Sequence, residues 1–180
     1  GRRRAPKGEC WIDRFDLRRF SQGVILVLLP PETELGPEFE AEVFDAQAAY
    51  KGQLYVALQH HLAGDDALRM QDISRIAETY ALPLLAVNDV LYHHAERKPL
   101  QDVLTCIRHG CTIDEAGQRL YANAERRLKS HSEMSRLFAD YPEAVSNIPK
   151  LIERCHFSLD QLKYEYPREL ILNDELPQET

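Results

Sequence analysis

LLAVNDV at residues 84–90 and LQDVLTCIRHG at residues 100–110 decide how this chain folds. The first is a run of apolar residues with no polar alternation before Asn88 and Asp89, which predicts a strand buried on both faces. The second sets Leu100, Val103, Leu104, Ile107 and Cys111 at i, i+3, i+4, i+7 and i+11, one apolar stripe of a helix. Gln101, Asp102, Arg108 and His109 lie off that stripe. A strand that ends in Asn-Asp and feeds a polar loop presents those groups at its carboxyl end, where α/β folds hold ligands and metals.

The same alternation runs upstream. Asp13 to Phe20 reads as a short helix, and Val24 to Leu29 as another strand buried on both faces, stopped by Pro30-Pro31. Pro37 suits a first helical turn, followed by a stripe of Phe39, Val43, Ala46 and Tyr50, with Gly52 ending the helix. Leu54 to Leu58 is a further short strand. Asp65 is placed to cap a helix lined by Met70, Ile73, Ile76, Ala77 and Tyr80, which Pro83 stops. The fold class is therefore α/β, with about three parallel strands joined by crossover helices. Three strands leave sheet edges that something must cover.

Beyond the third strand the chain turns helical. Pro99 sits in the opening turn of the helix at 98–109, and 112–120 holds a short turn of helix. Ser130 and Glu133 form an S-x-x-E capping box before Met134, Leu137, Phe138 and Tyr141. Pro142 and Glu143 start another helix carrying Val145, Ile148, Ile152 and Cys155, which Pro149 is expected to kink or split. From Phe157 the chain reads as turns and extended segments with an acidic, frayed end. The organisation expected is a βα part over residues 1–120 and a helical segment with an extended lead over 121–180.

Lysine and arginine number 22 against 29 acidic residues among 180, a net charge of −7. Such a balance argues against a stand-alone DNA binder, because phosphates need a cationic surface. Two basic patches stand out, Arg2-Arg3-Arg4 with Lys7, and Arg126 and Arg127 with Lys129; the second is the better nucleic-acid candidate because it sits among structured residues. No apolar run approaches the ~20 residues of a membrane span, and the amino terminus has no signal-peptide pattern, so the reading is a cytoplasmic protein with no membrane partner. Cys10, Cys106, Cys111 and Cys155 form no CxxC pair. Cys106 and Cys155 fall in amphipathic patterns and read as small core residues.

The chemistry-bearing residues gather at strand ends. Asn88 and Asp89 stand near His93 and His94, and His60-His61 follow the second strand, but polar βα loops are the plainer reading of each. No phosphate-loop, dinucleotide or nucleophile-elbow motif occurs. On its residues alone the chain is an α/β half-domain without a self-sufficient active site.

Four segments together resemble one family: LPLLAVNDVLYHHAERKPLQDVLTCIRHGCTIDEAG at 82–117, ANAERRLKS at 122–130, EMSRLFADYPEAVSNIPKLIERCHFSLDQLKYEYPREL at 133–170 and, more weakly, LYVALQHH at 54–61. In order and spacing they are similar to the bacterial C-family DNA polymerases, of the alpha-subunit class. RCHFSLDQLKYEYPREL and LQDVLTCIR are particularly like the error-prone, damage-inducible branch. The resemblance is convincing over roughly residues 53–172 and looser before that, through KGECWIDRFDL and QGVILVLLP.

The resemblance implies the second half of a PHP (polymerase and histidinol phosphatase) domain, a seven-stranded βα barrel, plus a lead into the palm and thumb. The barrel's first half would precede Gly1, and the polymerase's catalytic aspartates would lie beyond Thr180. The segment itself would then carry no catalytic residue and no cofactor. The parent would extend primers across damaged template with Mg²⁺ by two-metal phosphoryl transfer. Its partners would be primer–template DNA, other replication and mutagenesis proteins, and the remaining half of the barrel.

Metal-binding PHP domains carry an Asp-x-His near the end of the barrel. Asp89 matches the Asp, whereas Leu91 stands where the His belongs. The ligand expected after the Val24–Leu29 strand is replaced by Leu-Pro-Pro. Asp89 is thus the candidate metal position, in a site expected to be degenerate because too few donors remain to offset dehydration of an ion. Two alternatives stand beside this. A free-standing PHP-like metal phosphoesterase would show His-rich motifs before residue 50, and none is present. A non-catalytic binding or scaffold module, compatible with the first reading, would brace the polymerase or contact DNA, with Arg126, Arg127 and Lys129 as the candidate contacts.

Overall fold

The computed structural model describes residues 4–32 and 35–163. YEYPREL, the acidic end and Arg2-Arg3 of the first basic patch lie outside the described residues. Three strands, β1 (Leu26–Leu28), β2 (Leu54–Gln59) and β3 (Leu84–Val87), form one parallel sheet in the order β1-β2-β3. The connections are the helices α2 (Pro37–Ala49) and α3 (Asp66–Thr79), as the alternating pattern predicts. Leu26 is in register with Leu54, and Val56 with Leu84.

β2 is buried along almost its whole length because it pairs on both sides. β1 departs from the expected double burial: it is three residues long, on the sheet edge, and half-buried throughout. Leu26 and Leu28 instead line an open cavity of about 220 Å³ with Leu17, Ala46, Ala49 and Tyr50. Leu17 belongs to α1 (Arg14–Arg19), which opens on a reciprocal cap. The Asp13 carboxylate accepts the Asp16 N–H at 2.8 Å, and the Asp16 carboxylate accepts the Asp13 N–H at 3.3 Å.

The core joins Val56 and Leu58 of β2, Leu84 and Ala86 of β3, Phe39 and Val43 of α2, and Met70, Ile73, Ile76 and Ala77 of α3. Phe138, Ala144 and Val145 enter the same cluster, so residues on both sides of position 120 share one core. They come from the end of α6 (His131–Leu137) and from α7 (Pro142–Glu153). The capping box at Ser130 and Glu133 forms as read.

Three local expectations need correction. Asp65 occupies the cap position of α3 without a side-chain capping bond; its neighbour Asp66, buried, accepts the Ala63 N–H at 3.1 Å. α7 runs unbroken through Pro149, and Ile152 and Cys155 at its end are exposed rather than in the core. The third concerns α4 (Lys98–His109), closed by Gly110 in the left-handed region at φ +62°. Its stripe exists but is bare: Leu100, Val103, Leu104 and Ile107 are 52, 44, 52 and 71 % exposed. Cys106 is the one buried residue of α4, and the helix packs mainly on α5 (Ile113–Ala116) and the turn at Ala95–Arg97. Periodicity specifies that a helix has an apolar face, not what lies against it.

α7 answers the edge problem at β3. The Val56 N–H donates to Pro83 O at 3.0 Å, so residues 83 and 85 turn their peptide groups toward β2 and Leu84 turns its carbonyl outward. The Asn147 side chain donates to that carbonyl at 2.8 Å. A side-chain amide of α7 thus takes an acceptor that an unpaired edge would leave to water or another chain.

Candidate functional site at the carboxyl end of the sheet

β3 stops at Val87, and Asp89 adopts φ +40°, a left-handed conformation that Asp tolerates better than most side chains. Beyond the turn, Leu91 and Tyr92 run beside residues 126–128. The Leu91 N–H donates to Arg126 O at 2.9 Å and the Leu128 N–H to Tyr92 O at 3.2 Å. The segment ANAERRLKS is therefore laid across the end of the sheet.

Arg126 is the centre of this crossing and is only 6 % exposed. Its Nε donates to the Asp89 carbonyl at 3.0 Å, its Nη2 pairs with the Asp89 carboxylate, and its Nη1 donates to Glu32 Oε1 at 3.0 Å. The guanidinium carbon lies 4.2 Å from the centre of the Tyr121 ring, within cation–π range. The Tyr121 hydroxyl donates to the same Glu32 oxygen at 3.2 Å.

Lys129 is equally committed. Its side chain is 2 % exposed and its Nζ meets Asn88 Oδ1 at 2.9 Å and Glu125 Oε2 at 3.2 Å, with a further bond to Glu125 O. Asn88 returns its own amide to the Glu125 and Arg127 carbonyls. Arg127 points the other way, with Nη2 on Glu133 Oε1 at 2.6 Å. That bond, with the Ser130 N–H and hydroxyl, pulls the Glu133 carboxyl down to about 2. The residues read as a metal position and as a DNA patch thus meet: Asp89 binds Arg126, while Lys129 grips the adjacent Asn88.

The histidines divide. His61 Nε2 is 3.2 Å from Asn88 O, and its backbone carbonyl accepts the Asn123 amide at 2.7 Å. Burial, reinforced by the Arg126 and Lys129 cations, pushes the His61 pKa down against the opposing pull of its bond to Asn88 O and of the Asp66 carboxylate. His60 faces elsewhere, with Nδ1 2.9 Å from Leu137 O and its ring edge-on to Phe138. His93 and His94 are exposed and meet at a tilt of 59° with centroids 4.8 Å apart. Among the described residues, no group of three or more His, Cys, Asp or Glu side chains could hold a metal ion.

A cavity of about 230 Å³ opens beside the crossing, lined among others by Glu32, His61, Asp66, Arg69, Tyr121 and Arg126. Glu32 and Tyr121 escaped the sequence reading. Glu32 lies 94 residues from Arg126, and nothing local announces a pairing at that distance.

The fold and this site define a class: a parallel α/β unit whose strand ends are tied down by buried cations. Relatives make the class specific, for over nearly its whole length the chain is homologous to part of proteins named error-prone DNA polymerase. It is 44 % identical over 169 residues to the one from Rhodopseudomonas palustris, covering 94 % of the chain and 15 % of the relative. It is 46 % identical over 170 residues to that of Brucella abortus and 45 % over 170 to that of a Bradyrhizobium strain, covering 94 and 92 % of the chain and 16 and 14 % of those relatives. The chain thus spans about 15 % of the curated relatives it matches. The likeness reaches well into the first 50 residues, further than the motifs alone suggest. No protein-family model matches the chain.

Proposed function

We propose that this chain is the PHP-type portion of an error-prone DNA polymerase, a part that braces the enzyme rather than performing nucleotidyl transfer. The observation that carries the reading is the pairing of 94 % coverage of this chain with 15 % coverage of the relative. A three-stranded parallel sheet with crossover helices fits part of a βα barrel, and the bare stripe of α4 suits a unit that packs against more protein. In this reading the full polypeptide extends primers over damaged template in the cytoplasm. It uses Mg²⁺ held by palm aspartates outside this chain, together with primer–template DNA and other mutagenesis proteins.

Arg126 and Lys129 serve that bracing role. Contact with a DNA phosphate would require breaking charge-assisted bonds already made in a buried setting, which costs more than a surface lysine would. Arg127 is less buried, but Glu133 competes for it directly. Among the described residues no helix is long and apolar enough to cross a membrane.

Primer extension by the full-length polypeptide on lesion-bearing template, with Mg²⁺, tests the proposal. Extension across the lesion is the expected result; a full-length protein that makes no DNA but turns over a phosphate ester with Mn²⁺ or Zn²⁺ would favour the phosphoesterase alternative.

A further inference from the structure

If the chain is PHP-type, as proposed above, the carboxyl end of its sheet is where divalent ions belong. The donors present do not fit one. The Asp89 carboxylate, the matching ligand position, already carries the Arg126 guanidinium. His61 Nε2 donates to the Asn88 carbonyl, which leaves that ring a single lone pair, on Nδ1. His60 Nδ1 is held at Leu137 O with its Nε2 3.8 Å from Asp66 Oδ2, a single imidazole–carboxylate pair rather than a ligand set, and His93 and His94 lie out in solvent. A cation entering here would meet the repulsion of the guanidinium and of the Lys129 ammonium beside it.

We infer that Arg126 takes the place of a divalent cation, as a built-in counter-ion that ties the strand end to the segment crossing it. The oxygens it gathers are those a hard ion would gather: one carboxylate and one carbonyl from Asp89, and one carboxylate from Glu32, across 94 residues of sequence. The planar fork supplies a separate N–H to each, and Tyr121 covers its face. Unlike a bound ion, the guanidinium cannot be chelated and needs no loading. Glu32 is the weakest arm, with a side chain 74 % exposed, so the pair with Asp89 is the one that matters.

The test is hydrogen exchange on the full-length protein in peptides spanning residues 88–94 and 124–130, with metal content measured on the same sample. The wild type should carry substoichiometric divalent metal at this site, and its exchange should not respond to EDTA or Mn²⁺. Arg126→Met should speed exchange in both peptides by about tenfold or more. Asp89→Asn should speed it as well, the double variant should be no faster than Arg126→Met alone, and Arg126→Lys should lie between. A stoichiometric ion lost in Asp89→Asn, or exchange that quickens in EDTA, would overturn the inference. So would wild-type exchange in Arg126→Met. Should that variant not fold, Asp89→Asn and Arg126→Lys decide, and wild-type exchange in both refutes it. None of these readouts uses DNA synthesis, so an inactive polymerase would sink the proposed function without touching this result.

Discussion

At Glu133 a single carboxylate does two jobs, closing the cap of α6 and holding Arg127. Its pKa falls from the ordinary 4.5 to about 2 in the folded protein, so the unfolded chain takes up the proton first as the pH drops. The stabilisation is therefore complete above pH 4.5 and is lost between 4.5 and about 2. Replacing Arg127 by Met removes the largest cause and should move the Glu133 midpoint upward, read by NMR of the carboxyl carbon. The lowered pKa of His61 works over a different window. Above its ordinary 6.5 both states are neutral; below it the unfolded chain protonates preferentially and stability falls. His61→Gln should flatten the stability curve just below pH 6.5 without moving the acid limb that belongs to Glu133. The thiols offer a third check. Cys10 and Cys155 are exposed, whereas Cys106 is buried and its pKa is raised by that burial and by Cys111. With a thiol reagent at pH 8, Cys10 and Cys155 should label first and Cys106 only on unfolding.

Among the elements, the ones set by local chemistry were legible and the ones set by distant partners were not. The parallel order, the crossover helices and the capping box at Ser130 all follow from apolar period, proline placement and an S-x-x-E spacing. The half-burial of β1 was not visible, because whether an apolar run is central or at an edge depends on its neighbours. At the site the pattern is the same: a strand end draws attention to Asp89, but charge density in sequence does not reveal that Arg126 is buried against it. α7 shows what a distant element adds. Asn147 reaches the outward carbonyl of Leu84, so Asn147→Leu leaves that acceptor unpaired at the edge of β3. The expected cost is about 1–2 kcal/mol, seen as a lowered urea midpoint with an unchanged slope. Asn147→Gln, one methylene longer, should recover part of it if the bond is what matters.

For the whole molecule, the bare face of α4 is the feature that bears most directly on the proposed placement. Leu100, Val103, Leu104 and Ile107 sit at helical spacing with about half or more of each side chain in water. Burying one such side chain contributes about 1.5–3 kcal/mol, so a face of four is a large unspent term in any assembly that covers it. Scattered surface leucines are ordinary, but a periodic row along a single helix is the pattern of a packing face. The proposed placement within a polymerase predicts that the rest of the polypeptide covers it. Leu104→Glu with Ile107→Glu would put two charges into that contact. Judged by this chain alone, where the two positions are 52 and 71 % exposed, the exchange should shift stability by about 0.5 kcal/mol or less at each. In the full-length protein it should instead open α4 to limited proteolysis and speed amide exchange along residues 98–109, with primer extension falling in parallel. Unchanged protease resistance and unchanged synthesis would mean that the face stays in water in the intact enzyme, and the row would then have no packing role there.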